Sequence, residues 1–232
     1  MVNWMLDERR FAGPEHLDPV YVESYDQKAA YDPTEDLDAL RRHGLSQDSL
    51  VLDIGAGTGT FAAAVAPLCR QVIAVDVSSA MTAALRASAQ ANGLGNVTVV
   101  KAGFISYEHE GSPVDFVFTR NALHHLPDFW KGVALARVAS LVEPGGILRL
   151  RDLVFDFEPP EAQSRLEAWF AGAVSDPRVG FTADELATHV RSEFSTYSWI
   201  LEAMLERVGF SIVDRQFRKS VYGTYTCVRA EP

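Results

Sequence analysis

The sequence predicts an α/β fold, a doubly wound and mostly parallel sheet with helices on both faces. Two observations carry this. Short apolar runs suited to buried strands (Leu50 to Ile54, Gln71 to Asp76, Asn96 to Val100, Val114 to Thr119 and Ile147 to Leu150) alternate with segments of helical period. The first run breaks at Gly55, Gly57 and Gly59 and passes into the helical pattern Thr60 to Leu68, so strand, glycine turn and helix form one unit.

The elements follow in order. Residues 1–19 carry Trp4, Met5, Phe11 and several charges without periodicity and read as an N-terminal arm. A helix is expected over Val20 to Ala30, with Tyr21, Tyr25 and Lys28 at helical spacing, and a second over Thr34 to His43, with Thr34 as N-cap, Leu37 and Leu40 inward and Gly44 as the stop. After Asp76, Ser78 or Ser79 caps a helix over Ala80 to Ala91, and Asn92-Gly93 ends it. The fourth strand leads to Arg120-Asn121-Ala122-Leu123-His124-His125, then to a helix over Phe129 to Leu141. The turn Glu143-Pro144-Gly145-Gly146 feeds the fifth strand, which exits at Arg151 and Asp152. Beyond 153 the alternation stops. Helices are expected over Glu161 to Ala173 and, from a capping box at Thr182 and Glu185, over Thr182 to Val190. A strongly periodic helix, Tyr197 to Val208, and two alternating runs, Phe210 to Phe217 and Val221 to Arg229, close the chain.

Bulk properties narrow the function. With 232 residues and 47% hydrophobic content, the chain suits one domain: arm and lid helices (1–44), core (45–152), helical insertion forming a substrate cap (153–191), last helix and strands (192–232). A formal charge of -10 without a basic run disfavours nucleic acid as a partner. Cys69 and Cys227 read as two reduced, buried thiols, which fits a cytoplasmic protein. Met1 to Phe11 lacks an apolar h-region and no apolar run nears bilayer length, so neither secretion nor membrane contact is expected. A homodimer is compatible with the sequence.

The glycine turn lets a ligand lie directly against the backbone. Dinucleotide folds want G-x-G-x-x-G, whereas the third glycine here is Gly59 and Thr60 follows, so the phosphate register is wrong. Asp76, ending the next strand, can accept both hydroxyls of an unphosphorylated ribose. The turn Asp53-Ile54-Gly55-Ala56-Gly57-Thr58-Gly59, Asp76, the run Asn121 to Asp128 and Glu143-Pro144-Gly145-Gly146 together resemble the class I S-adenosylmethionine-dependent methyltransferases, closely over roughly residues 20–152.

The resemblance implies a Rossmann-like, seven-stranded sheet with an antiparallel C-terminal hairpin, and S-adenosylmethionine as cofactor. Gly55, Ala56, Gly57 and Gly59 would take its methionine part, with Asp53 orienting the loop and reaching the amino group through water. Asp76 would hold the ribose, Val77 and Met81 would flank the adenine, and Asn121 would lie beside the cofactor. The family places a carboxylate after the third strand; this chain has Lys101-Ala102-Gly103-Phe104, so backbone groups near Gly103 and Phe104 are assigned to the adenine amine. Tyr25 either lies over the cofactor as part of a lid or merely covers the core with its ring. For the acceptor, Tyr21, His189, Arg151 and Asp152 are assigned, although Arg151 and Asp152 also read as a mutual salt bridge. Trp169, Phe170, Phe181 and Arg191 either line the pocket or pack and solvate the insertion. One of His124 and His125, with His125 preferred, would handle the acceptor proton, against the alternative of a backbone hydrogen bond. Adjacent side chains should point in different directions, so only one would face the methyl group. Methyl transfer is an in-line displacement that demands no metal, and none is assigned. An N/D-P-P-Y/F motif is missing after the fourth strand, which with the acidic charge favours a small-molecule oxygen, nitrogen or carbon acceptor. A non-catalytic S-adenosylmethionine-binding or scaffold protein would show cofactor binding without methyl transfer; a nicotinamide dehydrogenase would bind NAD.

Overall fold

In the computed structural model, residues 4–231 are described, so the start of the predicted arm and Pro232 lie outside it. Eight strands form: β1 Leu50–Ile54, β2 Gln71–Asp76, β3 Val97–Lys101, β4 Val114–Arg120, β5 Val142–Phe155, β6 Thr196–Tyr197, β7 Phe210–Arg218 and β8 Tyr222–Arg229. Seven lie side by side in the order β3-β2-β1-β4-β5-β8-β7. The first five are mutually parallel, and β8 runs antiparallel to both β5 and β7. This is the Rossmann-like sheet expected from the sequence. The two-residue β6 pairs only with the far end of β5, through Val154 and Phe155, and is an addition to the predicted set.

The order places β1 and β4 at the centre, where the winding direction reverses, and ligands bind beyond the carboxyl ends of such strands. β1 is buried throughout, yet its side chains still divide between the two faces. Leu50, Leu52 and Ile54 join one core with Val75, Val117 and Leu148, whereas Val51 joins the other with Val72, Phe116 and Phe118. The period of two is present but hidden, because both faces are covered by helices.

The helices are α1 Pro19–Ala29, α2 Thr34–Arg42, α3 Thr60–Val65, α4 Ser79–Ala91, α5 Asp128–Leu141, α6 Ala162–Ala171, α7 Ala183–Ser192 and α8 Ser198–Arg207. Ser78 caps α4 by accepting from Met81 N, and Thr182 with Glu185 forms the predicted capping box on α7. Thr34 is not an N-cap: it is the first helical residue, and its N–H and hydroxyl donate to the Asp32 carboxylate at 2.9 and 2.6 Å. The fifth strand is far longer than expected: it takes in Glu143 to Gly146 as an irregularity between the Val114–Val142 and Phe116–Ile147 pairs, with Gly145 at a φ of 81°, and runs on to Phe155.

That length moves Arg151 and Asp152 inside β5, and the two do not pair with each other. Asp36 of α2, fully buried, accepts from Arg149 Nε at 2.9 Å, Arg151 Nη1 at 2.7 Å and the Tyr31 hydroxyl at 2.7 Å. Asp36 thus ties α2 to the sheet, and Arg151 belongs to this tie.

Candidate functional site

β1 delivers the glycine turn with Gly55, Gly57 and Gly59 all at positive φ (76°, 56° and 91°). A Cβ at Gly57 would meet nothing nearer than Met81 Sδ and Tyr25 Cε1 at 4.0 Å and would project into open space beside the turn. Gly59 differs: a Cβ would stand 2.6 Å from Leu85 Cγ, and the residue lines no cavity. Gly59 therefore serves the close approach of the turn to α4 and stands outside the residues lining the clefts beside the turn. The Asp76 carboxylate accepts from Gly57 N at 2.9 Å and from Ser78 N at 2.8 Å, so it is fixed beside the turn. Burial raises the Asp76 pKa, and these two N–H groups hold it back. Asp53 is completely buried, its pKa pushed well up by burial and then by Asp76, and its Oδ2 has no hydrogen-bond partner.

Two clefts flank this turn. The first, of about 660 Å³, is lined by Gly55, Gly57, Asp76, Val77, Met81, Gly103, Phe104, Asn121 and Tyr25 among the predicted cofactor residues. It adjoins a smaller recess over Asp53, Ala56, Thr58 and Arg120. Of the backbone expected to read adenine, the Gly103 groups are already engaged: Gly103 donates to Ser106 Oγ at 2.9 Å and its carbonyl accepts from Tyr107 N at 3.0 Å. A carboxylate does occupy that end of the cleft, but the arm supplies it. Glu8, 7% exposed, accepts from Ile105 N at 3.0 Å and from Ser106 N and Oγ at 2.9 and 2.7 Å.

The second cleft, of about 1170 Å³, lies under α7 and contains Tyr21, His124, His125, Phe181, Glu185, His189 and Glu193. His16, Tyr25, Asn121 and His125 line both clefts and form the partition between them. α1 lies across the glycine turn, held by the Thr58 and Thr60 hydroxyls donating to Asp26. Lys28 joins α1 to α7 through Glu185 at 2.5 Å.

The two adjacent histidines do not diverge as expected, for their ring centroids are 4.3 Å apart. The short helical turn Leu123–His125 brings both to the same cleft. Asp152 accepts from the His124 backbone N–H at 3.0 Å and bonds its Nδ1, so Asp152 positions His124 and lines no cavity. Its assignment, like that of Arg151, as an acceptor handle is corrected. Burial opposes charge on His124, yet Asp152 and Glu193 outweigh it and raise the pKa to about 9. His125 behaves oppositely: burial and then the charge on His124 push it well below the usual histidine value. Within the insertion, Phe181 and His189 reach the cleft, Trp169 packs among Leu153, Phe157, Leu186 and Val221, and Arg191 is exposed beside Thr188.

The family described as a methyltransferase domain matches residues 51–146, the stretch that carries the turn, Asp76 and the histidine run. Over that stretch the chain is similar to the methyltransferase-domain family. An uncharacterised methyltransferase of Geobacillus kaustophilus is 28% identical to this chain over 163 residues, covering 70% of this chain and 69% of the relative. Among solved structures, a SAM-dependent methyltransferase from Aquifex aeolicus superposes with TM-score 0.63 at 19% identity, over 92% of this chain and 99% of that one. The magnesium protoporphyrin IX methyltransferase of Synechocystis PCC 6803, solved with bound SAM, gives 0.65 at 17% identity over 99% and 100%. At such identities the solved structures share the fold.

Glu8, His16, Arg120 and Glu193 line the clefts and had not been marked by the sequence. Arg120, whose pKa burial lowers, stacks 4.2 Å over Tyr31 at the strand exit next to Asn121, so its position was a usable signal. Glu193, four residues after His189, also stood at helical contact spacing. Glu8 and His16 had no local pattern to mark them. No helix of the described residues is long and apolar enough to cross a membrane.

Proposed function

We propose that the protein transfers a methyl group from S-adenosylmethionine in the first cleft to an oxygen, nitrogen or carbon atom of a small molecule in the second. The observation that carries this reading is the partition of His16, Tyr25, Asn121 and His125 shared by the two clefts. A donor and an acceptor on its two sides meet at one place, and holding reactants close and aligned in a dry site is the main requirement of an in-line displacement.

The residues fit the cofactor. Asp76 is fixed by two N–H groups with acceptor capacity left over for ribose hydroxyls, and Val77, Met81 and Phe104 offer apolar faces for a base. The unpaired Asp53 Oδ2 awaits a donor such as an amino group, directly or through water, and the Arg120 cation faces the same recess for a carboxylate. Bound there, S-adenosylmethionine supplies an electrophilic methyl group on a sulfonium. On the acceptor side, His125 and not His124 keeps a free lone pair near pH 7, because His124 already carries its proton. His125 is therefore the group that takes the acceptor's proton, with the His124 imidazolium beside it held by Asp152.

Co-crystallisation with S-adenosylhomocysteine tests the reading. The sulfur should sit against the partition, facing His125 and Asn121. A product placed elsewhere, or binding of NAD in its stead, overturns it. Binding at this place with no methyl transfer to any member of a broad metabolite panel favours a cofactor-binding scaffold.

A further inference from the structure

At the floor of the acceptor cleft, His124 Nε2, His125 Nδ1 and Glu193 Oε2 all lie within 4.8 Å of one another. We propose that these three atoms bind a divalent transition ion, Zn²⁺ or a chemically similar ion, with one coordination position left open toward the cleft.

Contact geometry supports this more directly than proximity. Glu193 Oε2 lies 2.9 Å from His124 Nε2 and 2.5 Å from His189 Nδ1, so one carboxylate oxygen faces two imidazole nitrogens. His125 Nδ1, 4.0 Å from the same oxygen, is buried and unpartnered. Imidazole nitrogens converging on one carboxylate oxygen, with the unpartnered His125 Nδ1 beside them, is the arrangement of ligands turned toward a common centre. Tetrahedral ligands about 2.0–2.1 Å from a zinc ion stand a little over 3 Å apart. The separations of 2.9 and 4.0 Å bracket that spacing, and rotation of the His125 ring closes the wider gap.

The surrounding groups are those a metal site needs. Asp152 bonds His124 Nδ1 and so turns Nε2 inward, where an ion would take the place of the proton that the ion-free imidazolium carries; a carboxylate behind a ligating histidine is the usual second support. His189 is anchored in turn through Nε2 to Ser195 Oγ at 2.7 Å, which holds its other nitrogen against Glu193. Two imidazoles with one carboxylate select borderline transition ions over Mg²⁺ or Ca²⁺. Three protein ligands leave room for water or an acceptor oxygen. Its use on the acceptor rests on the methyl-transfer reading above; the binding of the ion does not. A bound ion would polarise a coordinated acceptor hydroxyl and lower its pKa, the proton passing to solvent water instead of to His125, which would then be a ligand.

Metal alone decides the matter. The full chain, stripped with chelator and dialysed, is titrated with Co²⁺ and separately with Zn²⁺ by calorimetry. One ion per chain is expected, with Co²⁺ showing the intense visible bands of a four- or five-coordinate nitrogen-ligated centre. Glu193→Gln and His125→Gln should abolish stoichiometric binding, Asp152→Asn should weaken it roughly 10- to 100-fold, and His43→Gln, an exposed histidine, should leave it unchanged. If a variant does not fold, the wild-type Co²⁺ spectrum still decides. Absence of stoichiometric binding, an all-oxygen six-coordinate spectrum, or binding indifferent to Glu193→Gln overturns the proposal. S-adenosylhomocysteine binding without metal binding sinks this inference alone, and metal binding without S-adenosylhomocysteine binding sinks the methyl-transfer reading alone.

Discussion

Replacing Glu8 with alanine tests whether the arm is part of the cofactor site. The Glu8 carboxylate accepts three hydrogen bonds, and they differ in what their loss costs. Ser106 is exposed, so water can replace both of its bonds; Ile105 is 3% exposed, and its N–H is left without a partner unless the arm lifts away. Counting one bond to a charged acceptor at about 1.5–3 kcal/mol, the docked arm loses roughly 10- to 100-fold in population relative to the undocked one. Glu8, Ala12 and His16 all line the first cleft. The dissociation constant for S-adenosylhomocysteine should therefore rise by up to the same factor. Calorimetric titration reads the affinity, and hydrogen exchange at the Ile105 amide reads the docking. An affinity within about twofold of wild type together with unchanged Ile105 protection would refute the argument, since 0.4 kcal/mol is all that such a ratio leaves for the contact.

The two glycine positions should separate. Gly57→Ala places a methyl group in the open cleft and should weaken S-adenosylhomocysteine binding at little cost in stability. Gly59→Ala meets Leu85 and a φ of 91°, so it should lower stability by about 2–4 kcal/mol in denaturant titration while affinity per folded molecule holds. Asp36→Ala strands the buried Arg149 guanidinium and should cost about 3–5 kcal/mol, which for a chain of this size lowers Tm by on the order of 10 °C. Arg151→Ala should cost about 1–2 kcal/mol and leave turnover of the folded fraction intact; lost turnover would restore it as a substrate handle. Asp53 gives a pH signature in the ligand-free protein. Its pKa is raised in the native state, so its stabilising influence is complete below the unfolded value near ~3.9 and is lost as pH rises toward the native value. Asp53→Asn escapes that loss, and its Tm advantage over wild type should grow as pH rises from about 4. A gap that narrows with rising pH would contradict the burial of an unpaired carboxylate.

What the sequence disclosed depended on how local the cause was. Leu50 to Ile54 followed by the glycine turn, Asp76 at a strand end, and the Thr182 to Glu185 capping box each act within a few residues, and all appear where they were expected. Glu8 acts on a backbone N–H 97 residues away, and nothing near residue 8 records that. Arg151 and Asp152 were misread for a related reason. A charged pair at a supposed strand exit implies a ligand only if no other element claims it, and α2 and the His124 turn claim one each. The length of β5 was hidden by Pro144, Gly145 and Gly146, residues that suit a tight turn equally well as an irregular stretch of strand.

Lys28 has a consequence for the pace of exchange. This one ammonium group, 7% exposed, holds Glu185 of α7 while lying 5.4 Å from the Tyr21 ring and 5.1 Å from the Phe181 ring. The segment over the donor and the segment over the acceptor are thereby clasped to each other instead of being fastened separately. On the methyl-transfer reading proposed above, departure of either spent ligand should break the same clasp, so that both products leave over a shared barrier. Fluorescence of the nearby aromatics should then report one relaxation during product release, and Lys28→Met should quicken the exit of both products by a common factor.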